Sequence, residues 1–282
     1  MKEQAAAKEK KGITEAFSSK IAKAFVSQLV YFVAGFMLSG GAVFGSYAPF
    51  GASLTAAVPF KRLIATTIGS VSGYLIITPG SSFRYIATVL AVGAVRWTLS
   101  DLKKLNKNIW YPVLTASLPM LATGIVLAAV GNYQINLIIM AVIEALLAAV
   151  GAYFYFKTIN ILKSTRGITS LNQQELACLV MSGCILLLAL SSIGFGGVSL
   201  GRICAIIVIM LCSRYGAVSG GCISGVATGV IFSMADNNLT FLAGSYAFGG
   251  IMAGLFSSVG RVGTALVFLV CNLIMAFQSQ DV

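Results

Sequence analysis

Glu144 is the residue of this sequence best placed to do chemistry, because it is an ionisable side chain in the middle of the apolar stretch 135–156. A bare carboxylate is costly in an apolar environment. We therefore expect Glu144 to be protonated or paired. Arg84, Arg96 and Arg202 are candidate partners, because each lies near the end of an apolar stretch. A structural ion pair and a proton or ion relay are both open, although a relay normally uses several acids and this chain offers one deep acid.

The remaining residues form no recognisable catalytic constellation. Histidine, the commonest general base and transition-metal ligand, is absent from the sequence. The 8 acidic residues are scattered along the chain and do not supply the clustered carboxylates of a two-metal site. Neither a Walker loop nor a GxSxG motif with its histidine is present. We therefore predict that this chain is not an enzyme, with no catalytic residues, no metal site and no cofactor.

The cysteines are better explained by packing than by chemistry. All 6 lie in the second half of the chain, inside or at the ends of apolar stretches, and none forms a CxxC motif. A disulfide framework or a zinc site needs different spacing, whereas buried free cysteine behaves as a small apolar residue. They are Cys178, Cys184, Cys204, Cys212, Cys222 and Cys271.

The composition places these residues in a membrane. Of the 282 residues, 58% are hydrophobic and 10% charged, against about 25% charged in a soluble domain, and the mean hydropathy is +0.92. The net charge of +11 would suggest nucleic acid in a soluble protein. Here the basic residues lie between apolar stretches, as in an inner-membrane protein, so nucleic acid is not expected as a partner. The sequence predicts an all-α polytopic protein of the bacterial plasma membrane.

The apolar stretches predict about ten or eleven transmembrane helices, since spanning the hydrocarbon takes about 20 helical residues. Two stretches are shorter, 48–60 and 199–213. The first has a proline near each end and would be a short tilted or re-entrant helix, which must be packed inside protein. The longer spans are expected at 24–46, 62–78, 84–100, 111–131, 135–156, 175–193, 215–234, 240–258 and 262–277.

The distribution of Lys and Arg orients these spans. Residues 1–23 form a basic arm that we expect on the cytoplasmic side, 24–277 the transmembrane domain and 278–282 a tail. If both short stretches cross, every Lys and Arg between spans falls on the cytoplasmic side, as the positive-inside rule requires. The C-terminus is then outside. An even number of crossings would need one short stretch to be re-entrant, and that choice spoils part of the charge pattern.

Glycines recur four residues apart on several predicted spans. Without Cβ atoms they let helix backbones approach closely inside a membrane. Ordinary packing between helices and a dimer face are both compatible with this spacing. The glycines assigned to helix packing are Gly216, Gly220, Gly221, Gly225, Gly229, Gly250 and Gly254.

A weak internal similarity relates 47–62 to 246–261, with a partial third copy at 195–202. Each copy pairs an aromatic residue with glycine and has an arginine at or near its end. Two such copies could mark an inverted-repeat transporter, in which broken helices meet near the midplane. Chance similarity among small residues is the alternative. A small-molecule transporter, or a membrane subunit of one, is therefore the second functional hypothesis.

Three sequence blocks carry a family resemblance: PFGASLTAA at 49–57, SLGR at 199–202, and YAFGG…GRVG…NL within 246–273. With the basic arm and the Gly-rich spans, the sequence resembles the N-terminal membrane region of the stage II sporulation protein E family of Firmicutes. The resemblance covers about residues 24–277. It implies about ten spans with both ends cytoplasmic, followed by a regulatory region and a PP2C-type serine/threonine phosphatase domain.

The resemblance also implies a role. In the family, the phosphatase acts on an anti-anti-sigma factor and so activates the forespore sigma factor. The membrane region places the protein at the polar division septum and helps it self-associate. No metal-binding aspartate of the phosphatase domain has a counterpart here. We therefore expect a membrane anchor and self-assembly domain whose partners are the lipid bilayer, further copies of itself, and cell-division and sporulation proteins.

Overall fold

The computed structural model of the chain describes residues 22–45, 47–80, 82–102, 108–131, 134–164, 172–195, 198–235 and 240–280. Nearly all of the predicted basic arm lies outside the described residues, as does the very end of the tail. Expectations about the arm therefore stay predictions.

The described part of the chain is almost entirely helical, which confirms the predicted all-α class. A two-residue antiparallel pair, β1 (Gly194–Phe195) with β2 (Val198–Ser199), interrupts it. Short 3₁₀ turns at Phe60–Arg62 and Phe256–Val259 precede the helices that begin at Leu63 and Arg261. The helices are α1 (Ala22–Leu38), α2 (Phe50–Ala57), α3 (Leu63–Ile77), α4 (Ser82–Thr98), α5 (Trp110–Val130), α6 (Ile135–Lys163), α7 (Gln173–Ser191), α8 (Leu200–Ala235), α9 (Phe241–Leu255) and α10 (Arg261–Gln280).

By length and composition, 6 helices of the described part can cross a membrane. They are α5 to α8, α9 together with its 3₁₀ turn, and α10 as far as Gln278. The shorter α1, α3 and α4 pack beside them, α1 with 17 residues of apolar helix and α4 with 17 as well. The chain is thus a polytopic membrane protein.

Helix α8 is two helices folded back on each other. Ala217 has φ 48° and ψ −141°, which no α-helix accommodates. A Cβ placed at Gly220 would overlap the carbonyl oxygen of Cys212, so the two halves run antiparallel in direct backbone contact. The region therefore contains two passes, 200–216 and 218–235. This division agrees with the two predicted stretches at 199–213 and 215–234.

Helices α1 and α3 run side by side in the same direction. A Cβ at Gly69 would overlap the carbonyl of Phe32, and a Cβ at Gly73 would overlap the carbonyl of Phe36. Contacts that advance together along both helices mean that the helices are parallel. The segment between them must therefore return the chain to the level at which α1 begins.

Helix α2 makes that return. The Arg62 guanidinium donates to the Ala24 carbonyl at 3.2 Å, and Gln28 donates to the Lys61 carbonyl at 3.0 Å, so α3 begins level with the start of α1. With 8 residues, α2 is only about 12 Å long at ~1.5 Å per residue. Extended backbone at Val58 and Pro59 covers the rest. The short stretch 48–60 therefore crosses the bundle.

The other helices alternate in direction, so the described chain makes eleven passes when α2 counts as one and α8 as two. One end of the bundle carries Lys61, Arg62, Lys163, Arg214 and Arg261, and we call it the basic end. At the opposite end, a Cβ at Gly40 would overlap Ser192 of the turn after α7.

The opposite end also links the two halves of the chain. Phe44 and Gly45 adopt positive φ angles of 51° and 79°. This conformation aims their N–H groups at the last carbonyls of α8, with N···O distances of 2.7 Å to Met234 and 3.1 Å to Ala235. Two carbonyls at a helix C-terminus that would lack partners are thereby satisfied.

Two predicted boundaries differ from the structure. The first span, expected at 24–46, ends as a helix at Leu38, because the N–H groups of the two following glycines, Gly40 and Gly41, bond three residues back to Met37 and Leu38. The span expected at 135–156 continues to Lys163. Both predictions followed apolarity, whereas a helix ends where its backbone hydrogen bonds end.

Eleven passes predict that the two chain ends lie on opposite sides of the membrane. In a variant without native cysteines, we expect Gly80→Cys at the opposite end and Gln278→Cys to react with a membrane-impermeant maleimide on intact cells. Asn108→Cys at the basic end should react only after permeabilisation, because the positive-inside rule places that end in the cytoplasm. Labelling of Gln278→Cys only after permeabilisation would mean that one of the short passes does not cross.

Candidate functional site

Glu144 forms a buried ion pair with Arg84. Its side chain is 1% exposed, and its Oε2 accepts from Nη2 of Arg84 on α4. Its Oε1 accepts from the Tyr85 hydroxyl at 2.6 Å. Of the three arginines considered from the sequence, the structure pairs Arg84 with Glu144. Both carboxylate oxygens are occupied and neither is open to solvent.

Tyr85 connects this ion pair to the backbone that enters α2. Its hydroxyl accepts a hydrogen bond from the Ala48 N–H at 3.1 Å, and the Tyr74 hydroxyl donates to the Ala48 carbonyl at 2.6 Å. The two tyrosine rings stack with centroids 5.0 Å apart. Both backbone polar groups of Ala48, which lies outside any helix, are thus satisfied inside the apolar bundle, as a membrane interior requires.

Arg96 holds the other end of α2. It is 6% exposed, and its Nη1 donates to the Thr55 carbonyl at 2.8 Å. Thr55 belongs to the last turn of α2, whose carbonyls have no partner within the helix. A cation beside a helix C-terminus is also favoured by the helix dipole. Arg84 and Arg96 of α4 thus brace opposite ends of the same short helix.

All eight residues of α2 are buried. Ser53 Oγ donates to the Pro49 carbonyl at 2.9 Å and to the Ala148 carbonyl of α6 at 3.0 Å. The Cβ of a residue replacing Gly151 would lie 3.1 Å from that same Ser53 oxygen. The helix is therefore enclosed by protein on every side, as the sequence predicts for 48–60.

Arg202 lies apart from this network, in the first turn of α8. Its backbone N–H donates to Ser199 Oγ at 3.4 Å, and its Nε is buried without a partner among the described residues. The structure thus brings Glu144 and Arg96 to the two ends of α2 and places Arg202 with the C-terminal helices.

The C-terminal helices are joined by what we call the glycine seam: Gly221, Gly225 and Gly229 of α8 with Gly250 and Gly254 of α9. Cβ atoms at the three α8 glycines would overlap the carbonyls of Gly250, Tyr246 and Leu242 in turn. The order reverses between the helices, so they are antiparallel and their backbones touch. The seam lies within one chain.

The two other predicted packing glycines behave differently. Gly220 faces Cys212 and closes the hairpin within α8. Gly216 is exposed, and a Cβ there would meet nothing within 4 Å. The i, i+4 spacing alone does not separate a glycine that packs from one that is open.

The family model described as SpoIIE, N-terminal domain, matches residues 1–281. The chain belongs to this family. Stage II sporulation protein E of Bacillus subtilis (strain 168) is 23% identical over 259 residues, which is 91% of this chain and 31% of that protein. No solved structure matches.

The SpoIIE N-terminal domain thus contains a closed polar network around a buried short helix. Tyr74 and Tyr85 are the members that sequence reasoning missed. Their signal is a tyrosine inside an apolar helix, since a buried hydroxyl needs a hydrogen-bond partner. Chemically the network can hold α2 in place. Proton transfer to solvent would require the network to open.

We predict that Arg84 and Glu144 are energetically coupled. Arg84→Met leaves a buried acid without its partner and should lower the free energy of unfolding by about 3–5 kcal/mol. Glu144→Gln keeps an acceptor for Tyr85, so the double variant Arg84→Met/Glu144→Gln should lose less than Arg84→Met alone. Unfolding in mixed micelles with increasing dodecyl sulfate measures all three. Additive losses would contradict the coupling.

We also predict that Gly225→Leu destabilises a single copy of this SpoIIE domain, without any contribution from contacts between copies. The added side chain would meet the Tyr246 carbonyl and should cost about 3 kcal/mol, the upper part of the usual range for overpacking. Gly216→Leu is the matched control on the same helix and should have little effect. Thermal unfolding in detergent checks both. Since the seam is internal, the loss should not depend on protein concentration; a concentration-dependent loss would place the seam between copies.

Proposed function

We propose that this chain is the membrane anchor and self-assembly domain of a SpoIIE-like serine/threonine phosphatase, and that it contributes no catalytic residue of its own. The observation that carries the proposal is the match of residues 1–281 to the SpoIIE N-terminal domain. The chain spans 31% of the length of its Bacillus subtilis relative. Phosphatase activity, its action on an anti-anti-sigma factor and activation of the forespore sigma factor belong, in this proposal, to the remainder of such a protein.

The side chains support an anchoring role. Among the described residues, no group of three or more His, Cys, Asp or Glu is placed to hold a metal ion. The deepest acid, Glu144, is closed off by Arg84 and Tyr85. Hydrolysis of a phosphate ester by two metal ions needs clustered carboxylates with access to substrate. The polar groups around Glu144 instead hold the backbone of Ala48 at the start of α2.

The distribution of charge supports contact with the cytoplasmic leaflet. The basic end of the bundle would face anionic lipid head groups, which attract basic segments next to a membrane. The lysines of the arm 1–23 would add to this attraction. Such an anchor would hold a phosphatase close to the membrane and to the division proteins of the polar septum. Because eleven passes put Gln278 opposite the basic end, a cytoplasmic phosphatase in this proposal requires either a further span after α10 or one short pass that does not cross.

Self-assembly in this proposal uses surfaces other than the glycine seam. The seam glycines are already in contact with a helix of the same chain. Two glycines, Gly183 on α7 and Gly216 on α8, meet nothing within 4 Å and lie on the exposed surface. Close approach of a helix from a second copy is sterically possible at these positions.

A small-molecule transporter is the second candidate, because α2 is a short buried helix of the kind that forms substrate sites in transporters. An ion-coupled transporter needs an acid that exchanges protons or ions with solvent. In vesicles containing the purified chain, solute flux that falls in Glu144→Gln would support this candidate. Flux that is absent, or indifferent to Glu144→Gln, would remove its support.

Localisation tests the anchor proposal. We expect a fluorescent fusion of the chain to be enriched at the polar septum of sporulating cells, relative to a lipophilic dye that corrects for the two septal bilayers. A uniform ratio of fusion to dye along the whole membrane would contradict septal targeting.

Gly216→Leu should fold and report whether the open glycine surface contributes to self-assembly, measured by crosslinking.

The mass of the native polypeptide tests the other half of the proposal. An antibody raised against a peptide of residues 157–174 should detect a band far above 29.4 kDa in sporulating cells. A single band near 29.4 kDa would contradict attachment to a phosphatase domain.

A further inference from the structure

A cavity of about 350 Å³ opens at the basic end of the bundle, beside the C-terminal end of α2. Its walls come from the linker after α2, the last turn of α4, the first turn of α5 and the last turns of α6. Four polar side chains line it: Arg96, Tyr111, Asn160 and Lys163. The remaining walls are apolar and include Phe60 and Phe156. Among the described residues, no acidic side chain lines the cavity.

The buried donors of this cavity are incompletely used. Arg96 is 6% exposed and donates from Nη1 to the Thr55 carbonyl, and its side chain lies within reach of the Tyr111 hydroxyl, yet its Nε makes no well-formed hydrogen bond among the described residues. Tyr111 is 5% exposed, and its hydroxyl makes no such bond there either. Buried polar groups in proteins are normally hydrogen-bonded, and an unsatisfied one is costly. Two such groups, side by side in the wall of one cavity, are placed to share one acceptor.

The chemistry of the lining specifies that acceptor. A guanidinium, an ammonium and a hydroxyl all donate, and the first two carry positive charge. Phosphate matches this set, because its oxygens accept several hydrogen bonds and its charge pairs with both cations. The position agrees with such a ligand, since the basic end is where anionic head groups would lie. The aromatic walls suit the apolar part of a lipid.

We propose that this cavity binds a phosphate group. Arg96 and Tyr111 form its buried wall, and the exposed Lys163 and Asn160 close its mouth. A phospholipid head group and free inorganic phosphate share this chemistry. A bound phosphate would contact α4, α5 and α6 next to the end of α2, and so would stabilise the packing of these helices. The inference does not depend on the proposed function.

The test uses the full chain in a zwitterionic detergent, with thermal unfolding and native mass spectrometry as readouts. The probes are phosphatidylglycerol, diacylglycerol with the same acyl chains, and inorganic phosphate. We expect phosphatidylglycerol or inorganic phosphate to raise the melting temperature and diacylglycerol to leave it unchanged. A shift with phosphatidylglycerol alone identifies a lipid ligand; a shift with inorganic phosphate identifies the free anion. Equal shifts with diacylglycerol, or none with either phosphate probe, would overturn the proposal.

Two variants on α6 distinguish phosphate binding in the cavity from nonspecific attraction to surface charge. Lys163→Gln should weaken binding about fivefold, as expected for one basic contact near a membrane surface. Lys157→Gln is the matched control, because Lys157 lies on the same helix and does not line the cavity. Equal weakening by both variants would mean nonspecific attraction and would overturn the proposal.

Tyr111→Phe tests phosphate binding with a variant that should leave the unliganded protein folded. The Tyr111 hydroxyl makes no well-formed hydrogen bond within the described part of the chain, so its removal should leave the melting temperature of the unliganded protein unchanged or raise it. The shift produced by the phosphate probe should become smaller. A lower melting temperature without ligand, with the phosphate-induced shift intact, would make the hydroxyl structural and would overturn its role in binding.

Discussion

The architecture depends on keeping a short helix, with both of its ends, inside an apolar bundle. A helix that spans a membrane satisfies its backbone internally and leaves its ends in polar surroundings. Helix α2 has 8 residues, so both of its ends lie within the bundle. Protein groups must replace water at each end. Tyr74 and Tyr85 do so at the Ala48 peptide, and Arg96 does so at Thr55.

The presence of an acid at the buried position of Glu144 follows from that constraint. Tyr85 is positioned by the acid, and the acid is tolerated because Arg84 compensates it. A buried ion pair contributes little net stability compared with apolar packing, but the loss of one partner is costly. The pair is therefore best understood as a device that fixes the register of α4 and α6 around α2. A structural role for the ion pair explains why an acid lies deep in the bundle, and no proton or ion relay is needed to account for it.

The C-terminal helices solve a different problem. Between lipid-exposed helices there is no hydrophobic driving force, so packing must come from close contact. The glycine seam provides it by bringing the α8 and α9 backbones together. The break at Ala217 lets the two halves of α8 join the same group. The helix backbones are closely packed along this seam.

The sequence by itself determined the class of the protein and its family. The length of the apolar stretches, the spacing of the small residues and the position of Lys and Arg between the stretches are local properties, and each responds directly to the lipid environment. The sequence also required Glu144 to be neutralised and 48–60 to be interior. Only the tertiary structure decided that Arg84 is the partner, that two tyrosines carry the network to α2, and that the seam glycines meet α9 rather than a second copy. Those outcomes depend on which helix faces are brought together, and residues far apart in the chain set that register through contacts that no local pattern encodes.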